Sequence, residues 1–580
     1  MKTLCLSVGR RAPVLALVVT LLACAATTPP VRNDAASAPA AGRDPQFDWF
    51  VYEGHDSVFT TVSPGPDDYL NPILEGFYPD PSVTRVGDDF YLVTSTFAYF
   101  PGIPVFHSRD LVSWTQIGNV IDRPTQLSFD GLGMSRGVFA PTIQEHAGTF
   151  YVLNTCVDCG GNYVVTAKDP AGPWSDPVWL RGIGGIDPSL FFDDDGRTYI
   201  LNNDAPEGAP LYEGHRAIWI QELDLAALRP VGPRQVLVNG GVDIATKPIW
   251  IEGPHLFKHE GRYYLSAAEG GTAEGHSQVI FRADEVRGPY TPFAGNPILT
   301  QRTLGPNRAF PVTSAGHTEL VQTPGGEWWA TFLAVRPYYD DLYNTGRETF
   351  LLPVRWQDGW PFITTEPIPY VHARPGLPRQ PAPPLPTSGN FRVREEFDGP
   401  RLAPYWLMIR TPREPFVDLT SSPGWLTLRA RPVELSALGQ PSFIGRRQQH
   451  QHATAYTVMR YAPAKAGDKA GIVAFQNDEH YYLLHIALSR GRRVVRLEVH
   501  AGKARAAGGE VVAETPLPTR TNGPVFLKIE ARGGRYDFFY AVQPNGWIGL
   551  VRDGDGAILS TKVAGGFVGA TFGLFAYAAP

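Results

Sequence analysis

Cysteine is scarce: the 580-residue chain has four, of which Cys5 and Cys24 fall within the first 24 residues and Cys156 and Cys159 share the loop CVDCGG. One CxxC pair with no second pair and no neighbouring histidines does not define a zinc or redox site, so a local disulfide or two inert thiols is the simpler reading. Excess positive charge is also missing. The net charge is -6 and no basic stripe runs along the chain, which excludes the electrostatic footprint of a nucleic-acid partner. The apolar run that opens the chain, Ala12 to Leu22, is too short to span a bilayer comfortably. What the chain has in quantity is turns and rings: Gly 60, Pro 54, Trp 13, Tyr 24 and Phe 31. That composition favours short strands joined by many turns, and the length calls for more than one hydrophobic core.

Lys2, Arg10 and Arg11 precede the opening apolar run, the layout of a secretory signal over residues 1–24. Leu21-Leu22-Ala23-Cys24 resembles a bacterial lipobox, which predicts cleavage, lipidation of Cys24 and membrane attachment of an exported, periplasmic or cell-envelope protein; cleavage without lipidation is the alternative. Residues 25–69 then read as a tether and approach to the first domain.

From there one unit recurs five times. A short lead run (DPSVTRV, APTIQEH, DPSLFFD, EGPHLFK, GHTELVQ) is followed by an aromatic strand (FYLVTST, FYVLNT, TYILNN, YYLSAAEG, WWATFLAV). Four copies then show turn-like stretches, SRDLVSW, AKDPAGPW, ELDLAAL and ADEVRGPY, that suit outer hairpins. The leading residues Asp80, Ala140, Asp187, Glu252 and His317 are separated by 60, 47, 65 and 65 residues. Such spacing in strand-rich units predicts a five-bladed β-propeller over 70–370, with each lead run the innermost strand of its blade.

Three of the five leading residues are acids. Singly, each has a plain explanation as a turn residue, since Asp-Pro and Glu-Gly both favour turns. As a set at one register, the three would converge on the axis, where unpaired charge is costly. Buried carboxyls kept at different protonation states suit glycoside hydrolysis: one donates a proton to the leaving oxygen and another activates water or attacks the sugar. Spacing alone assigns neither role.

The motifs GFYPDPSV, GIDPSLFFDDDG, WIEGPHLF, AEGGTAEGH, SAGHTEL and GRETFLLPVRW resemble, in order, those of glycoside hydrolase family 43, in its β-xylosidase and α-L-arabinofuranosidase branch. The resemblance implies hydrolysis with inversion. It makes Asp80 the general base, Glu252 the general acid and Asp187 the residue that tunes the acid's pKa and orients the sugar. It implies further that His317 stands near an axial ion or water, calcium being one candidate, and that Arg347 binds sugar hydroxyls; from residues alone, a surface ion pair with Glu348 or Asp341 is the plainer reading of Arg347. Phe97, Ala140 and Thr272 match pocket-lining positions. Phe139 departs from the pattern, because many relatives carry tryptophan before Ala-Pro, and a phenyl ring offers less stacking area.

A proline-rich linker spans 371–390, and alternating strands over 391–580 predict an all-β partner, a concanavalin A-like β-sandwich. Its SFIGRRQQHQHATA stretch, with Arg446, Arg447 and His450, is expected to reach the propeller mouth and narrow it for exo attack on short chains. The expected activity is release of terminal D-xylose from hemicellulose-derived oligosaccharides, with α-L-arabinofuranosidase as the alternative and a non-catalytic glycan-binding lipoprotein as the alternative of another class. No organic cofactor is required.

Overall fold

The computed structural model describes residues 44–305, 307–502, 509–518 and 523–580; the expected leader and Cys24 lie outside them. Five antiparallel sheets of four main strands follow one another along the chain, in a five-bladed propeller. Their leading strands are Ser82–Val86, Thr142–His146, Ile186–Phe192, Glu252–His259 and Thr313–Gln322. Each packs against the leading strands on either side, and the ring closes where the fifth meets the first. The lead runs are therefore the inner strands.

The four turn-like stretches join the third and fourth strands of their blades, at the outer edge. Two of them end in Trp114 and Trp174, both buried, and Trp114 packs with Tyr78, Phe106, Trp329 and Leu351 between the first and fifth blades. Replacing such a plug by alanine costs about 3–5 kcal/mol.

Two eight-stranded sheets form the sandwich and enclose a large apolar core. Both sheets borrow from elsewhere in the chain. Gln46–Gly54 lies between His452–Arg460 and Phe391–Glu395 in one sheet, so the tether expected over 25–69 is interrupted by a strand. Its FDWFVY stretch alternates as a strand should, but its partners lie some 400 residues away, which local pattern cannot reveal. Tyr99–Phe100, from the first blade, forms the edge of the other sheet through Leu407–Ile409.

A second apolar cluster runs continuously from Phe77, Phe97 and Tyr99 to Leu407, Phe443, Phe475 and Phe575. The sandwich is thus fused to the propeller by a shared core. The proline-rich segment is strapped down as well: Val371–Ala373 pairs with Asp68–Leu70, and Gln380 and Gly389 hydrogen-bond to propeller side chains.

Candidate active site

Asp80, Phe97, Phe139, Ala140, Asp187, Glu252, Thr272, His317 and Arg347 all line one cavity of about 510 Å³. Every site residue expected from the propeller sequence is therefore brought together. Asp80, Asp187 and Glu252 are buried at 5%, 4% and 8% exposure, so their environment is set by one another more than by water.

The register shows how they get there. Ser189 pairs with Leu201, His255 with Ser266 and Glu319 with Thr331, each just after a bulge in its leading strand. Counting back two residues places Asp187, Gly253 and His317 at equivalent positions, and Asp80 holds the same place before Ser82 opposite Val93. All four adopt left-handed backbone, with φ of 55° at Asp80 and Asp187, 56° at Gly253 and 51° at His317. Glu252 is consequently one residue out of the expected register. Asp187 occupies the bulge itself and Asp80 the matching left-handed position just ahead of its strand, whereas the glutamate precedes a bulge filled by glycine. Glycine is needed there because a Cβ on Gly253 would stand 2.8 Å from the His317 ring.

Asp80 is the most completely partnered of the acids. Arg347 Nη1 and Nη2 donate to its two oxygens at 2.9 and 3.4 Å, and the Ser95 hydroxyl donates to Oδ2. Arg347 therefore pairs with Asp80, not with Glu348 or Asp341. Burial alone would raise the Asp80 pKa, but Arg347, His317 and the Ser95 hydrogen bond together outweigh it and hold the carboxyl below its ordinary value. Among the described residues Asp187 accepts a single hydrogen bond, from Gly253 N at 3.1 Å. Burial first, and then the Asp80 charge, push it up to about 7. Glu252 is held well above the ordinary range by burial and then by Asp187 and Asp80. One carboxyl is thus biased toward its ionised form and another toward its protonated form in the same pocket.

His317 lies 4.0 Å from Asp80 (Nδ1 to Oδ1), and burial pushes its pKa down to about 4, so the ring is neutral. Glu319, two residues beyond His317 on the fifth inner strand, is engaged by Ser82, Val83 N, Gln144 and His255. Among the described residues no group of three or more His, Cys, Asp or Glu is placed to hold a metal. A cation beside His317 would have to complete its shell with water.

Aromatic walls complete the cavity. Phe97, Phe139 and Phe567 pack mutually, with centroids 5.6–5.8 Å apart. Phe567 belongs to the sandwich. Its backbone N–H donates to Ser135 Oγ at 2.8 Å, and Lys562, in the short helix Thr561–Ala564 that precedes it, reaches Glu274 at 2.9 Å, beside the Thr272 loop. The sandwich does narrow the pocket, but through 560–568 and not through the expected stretch. Arg446, Arg447 and His450 are buried between the domains: Arg447 donates to Phe77 O at 2.7 Å and stacks over Phe77 and Tyr78, Arg446 stacks over Tyr52 and Tyr405, and His450 meets Gly389 O at 3.0 Å. They are interface cement, because a guanidinium satisfies carbonyls and ring faces at once.

Sequence reasoning missed Phe567, Arg136, Arg216 and Trp250, which also line the cavity. Trp250 was within reach, two residues before Glu252 in WIEGPHLF. Its φ of 43°, with 53° at Phe97, adds to the left-handed backbone around the pocket, a strain of about 1–3 kcal/mol per residue that surrounding structure must hold. Cys156 and Cys159 form a disulfide, with Cα atoms 5.1 Å apart. Between them, Asp158 pairs with the rim residue Arg136 at 2.6 Å.

Comparison with known proteins agrees with this geometry. Residues 69–361 match Glycosyl hydrolases family 43, and residues 394–580 match the Beta xylosidase C-terminal Concanavalin A-like domain. A xylosidase/arabinosidase of Butyrivibrio fibrisolvens is 39% identical over 87% of this chain and 95% of its own. A non-reducing end alpha-L-arabinofuranosidase of Bacteroides ovatus is 37% identical over 89% and 92%. Among solved structures, a GH43_12 protein from capybara gut metagenome superposes with a TM-score of 0.86 at 40% identity, covering 92% of this chain and 99% of that one. The chain belongs to glycoside hydrolase family 43, as an enzyme of the xylosidase/arabinosidase type.

Proposed function

We propose that the protein is an exo-acting, inverting glycosidase that removes terminal D-xylose or L-arabinofuranose from hemicellulose-derived oligosaccharides. The observation that carries the reading is the opposed protonation of Asp80 and Glu252 in one cavity roofed by Phe567. Asp80, ionised and fixed by Arg347 and Ser95, takes a proton from the attacking water. Glu252 gives its proton to the glycosidic oxygen as the bond to the sugar breaks. Asp187 strengthens the hold of Glu252 on its proton as it ionises, at about pH 7 and above, and it is positioned to accept hydrogen bonds from sugar hydroxyls. Arg347 and Thr272 bind hydroxyls, while Phe97, Phe139 and Ala140 supply an apolar wall.

Two carboxyls and a water supply every proton and the nucleophile, so the chemistry needs no organic cofactor. The phenyl ring of Phe139 and the ring of Phe567 leave a compact sugar site, which suits a terminal pentose. Both pentosides remain open because relatives of both kinds are similar over most of the chain. The opening 24 residues support export with lipidation at Cys24, and the Cys156–Cys159 disulfide is in keeping with an oxidising compartment.

Purified protein assayed on a panel of nitrophenyl glycosides tests the activity, with NMR of the first-formed sugar reporting its anomeric configuration. Turnover on the xyloside above the arabinofuranoside, with the inverted anomer, is the expected result. A dominant arabinofuranosidase rate reverses the order of the two substrates. Absence of turnover on every pentoside would return the protein to the class of glycan-binding lipoproteins.

A further inference from the structure

A second cavity, of about 550 Å³, opens between the fifth blade and the sandwich and shares no lining residue with the catalytic pocket. Its walls are drawn from distant parts of the chain, chiefly residues 308–311 and 336–339 of the propeller and 532–535 of the sandwich, with residues 56–58, Tyr370 and residues 451–452 completing them. Two large rings at its edge are open to solvent, Phe310 at 42% and Tyr339 at 49% exposure. Tyr338 stands edge-on to Tyr339 with centroids 5.1 Å apart, and Phe310 lies 6.4 Å from Tyr370 in the same manner. The Gly533-Gly534 turn lets the sandwich backbone come close to these rings, since a Cβ on Gly534 would stand 3.0 Å from Tyr338 and 3.2 Å from Tyr339.

The charge in the cleft is one-sided. Of its four arginines, Arg336 is balanced by Asp56 and Glu348, and Arg532 by Asp537 and Asp553. Arg308 spends its donors on neutral oxygens of Gly305, Gln301 and Val312. Arg535 has no ion pair among the described residues, and the sole carboxylate lining the cleft, Asp56, is already taken by Arg336. Two guanidinium groups without counter-ions therefore flank exposed rings in a cavity of small-ligand size.

We propose that this cleft is a second carbohydrate site, which holds a glycan chain bearing carboxylate groups while the catalytic pocket works on chain ends. Sugar rings present C–H faces that pack on Phe310 and Tyr339, and guanidinium groups pair with carboxylates in fixed geometry. The choice of polymer rests on the hemicellulose reading above; the site itself does not.

Affinity electrophoresis of the full-length protein through gels containing glucuronoxylan, beside gels containing the same polymer with its carboxyls reduced to alcohols, tests the proposal. The parent should be retarded by the acidic polymer and much less by the reduced one. Phe310→Ala with Tyr339→Ala should weaken retardation about tenfold, and Arg535→Glu should remove the preference for the acidic polymer. Arg347→Met, in the catalytic pocket, should leave retardation in place. Unchanged rates of the cleft variants on small nitrophenyl pentosides show that they fold. An unretarded parent, equal retardation by both polymers, or loss of retardation in Arg347→Met with none in the cleft variants would overturn it. If the parent is retarded yet hydrolyses no pentoside, the catalytic reading fails and the cleft stands.

Discussion

The molecule buries three carboxyls around one arginine twice. In the pocket, Arg347 faces Asp80, Asp187 and Glu252; between the domains, Arg336 faces Asp56, Glu75 and Glu348. Each set has a histidine whose pKa burial pushes down to about 4, His317 in one and His450 in the other. The sets differ in how the charge is closed. Arg336 bonds Glu348 at 2.6 and 2.9 Å and Asp56 at 2.8 Å, and backbone N–H groups of Gly76, Gly389 and His452 donate to Glu348, Glu75 and Asp56 in turn, so that of the six carboxyl oxygens Glu75 Oε2 alone lacks a hydrogen bond among the described residues. Among the described residues Arg347 bonds only Asp80, leaving Asp187 and Glu252 to face an open cavity. Buried acids do not by themselves make a site; acids left unmatched beside open volume do.

Removing one charged group from each set should separate the two most sharply. Asp80→Asn or Glu252→Gln should lower kcat by about three orders of magnitude or more while the protein stays folded, because each removes a group that moves a proton. Arg336→Met should do the opposite, costing about 3–5 kcal/mol by leaving buried carboxylates unpaired. Denaturant unfolding beside single-substrate kinetics checks both. Deleting 391–580 extends the same contrast: the shared apolar cluster would be exposed, so an insoluble product is expected, and a soluble, active propeller would contradict the fused core.

A finer separation uses pH. Asp187 holds its proton up to about 7 in the folded state, whereas an unfolded aspartate loses it near 4. Between those values the folded state binds the extra proton, so this residue's contribution to stability falls as pH rises and levels off above about 7. Asp187→Asn should abolish that slope and raise Tm at pH 8 relative to the parent, with no gain at pH 4, while activity drops. The smallest expected effect is at the roof: Phe567→Ala should cost about tenfold in kcat/KM, carried mainly by KM, since the ring walls the sugar and moves no proton.

Much of this was legible in sequence. The blades were, because aromatic strands repeat at near-constant distance from their lead runs, and Asp80 and Asp187 were, because a repeated Asp-Pro-Ser marks one backbone position twice. Glu252 was legible as a member of the set but not as its exception, since a bulge shifts a side chain by one residue without changing composition. Phe567 was not legible: it sits in the glycine-rich turn GGFVGA, and only the docking of two domains aims it at the pocket. Arg446 and Arg447 misled for the converse reason, as a basic stretch between strands reads as free to reach the propeller mouth until the rings and carbonyls around it are known.

Gln46–Gly54 carries a consequence for how the chain folds. As the first described strand, it is flanked by Phe391–Glu395 and His452–Arg460, so on emerging it has no partner until most of the protein has been made. Its exposed FDWFVY must wait through five blades before the sandwich can close around it. The two ends of the molecule therefore lock late and together, and a nick in either should release both.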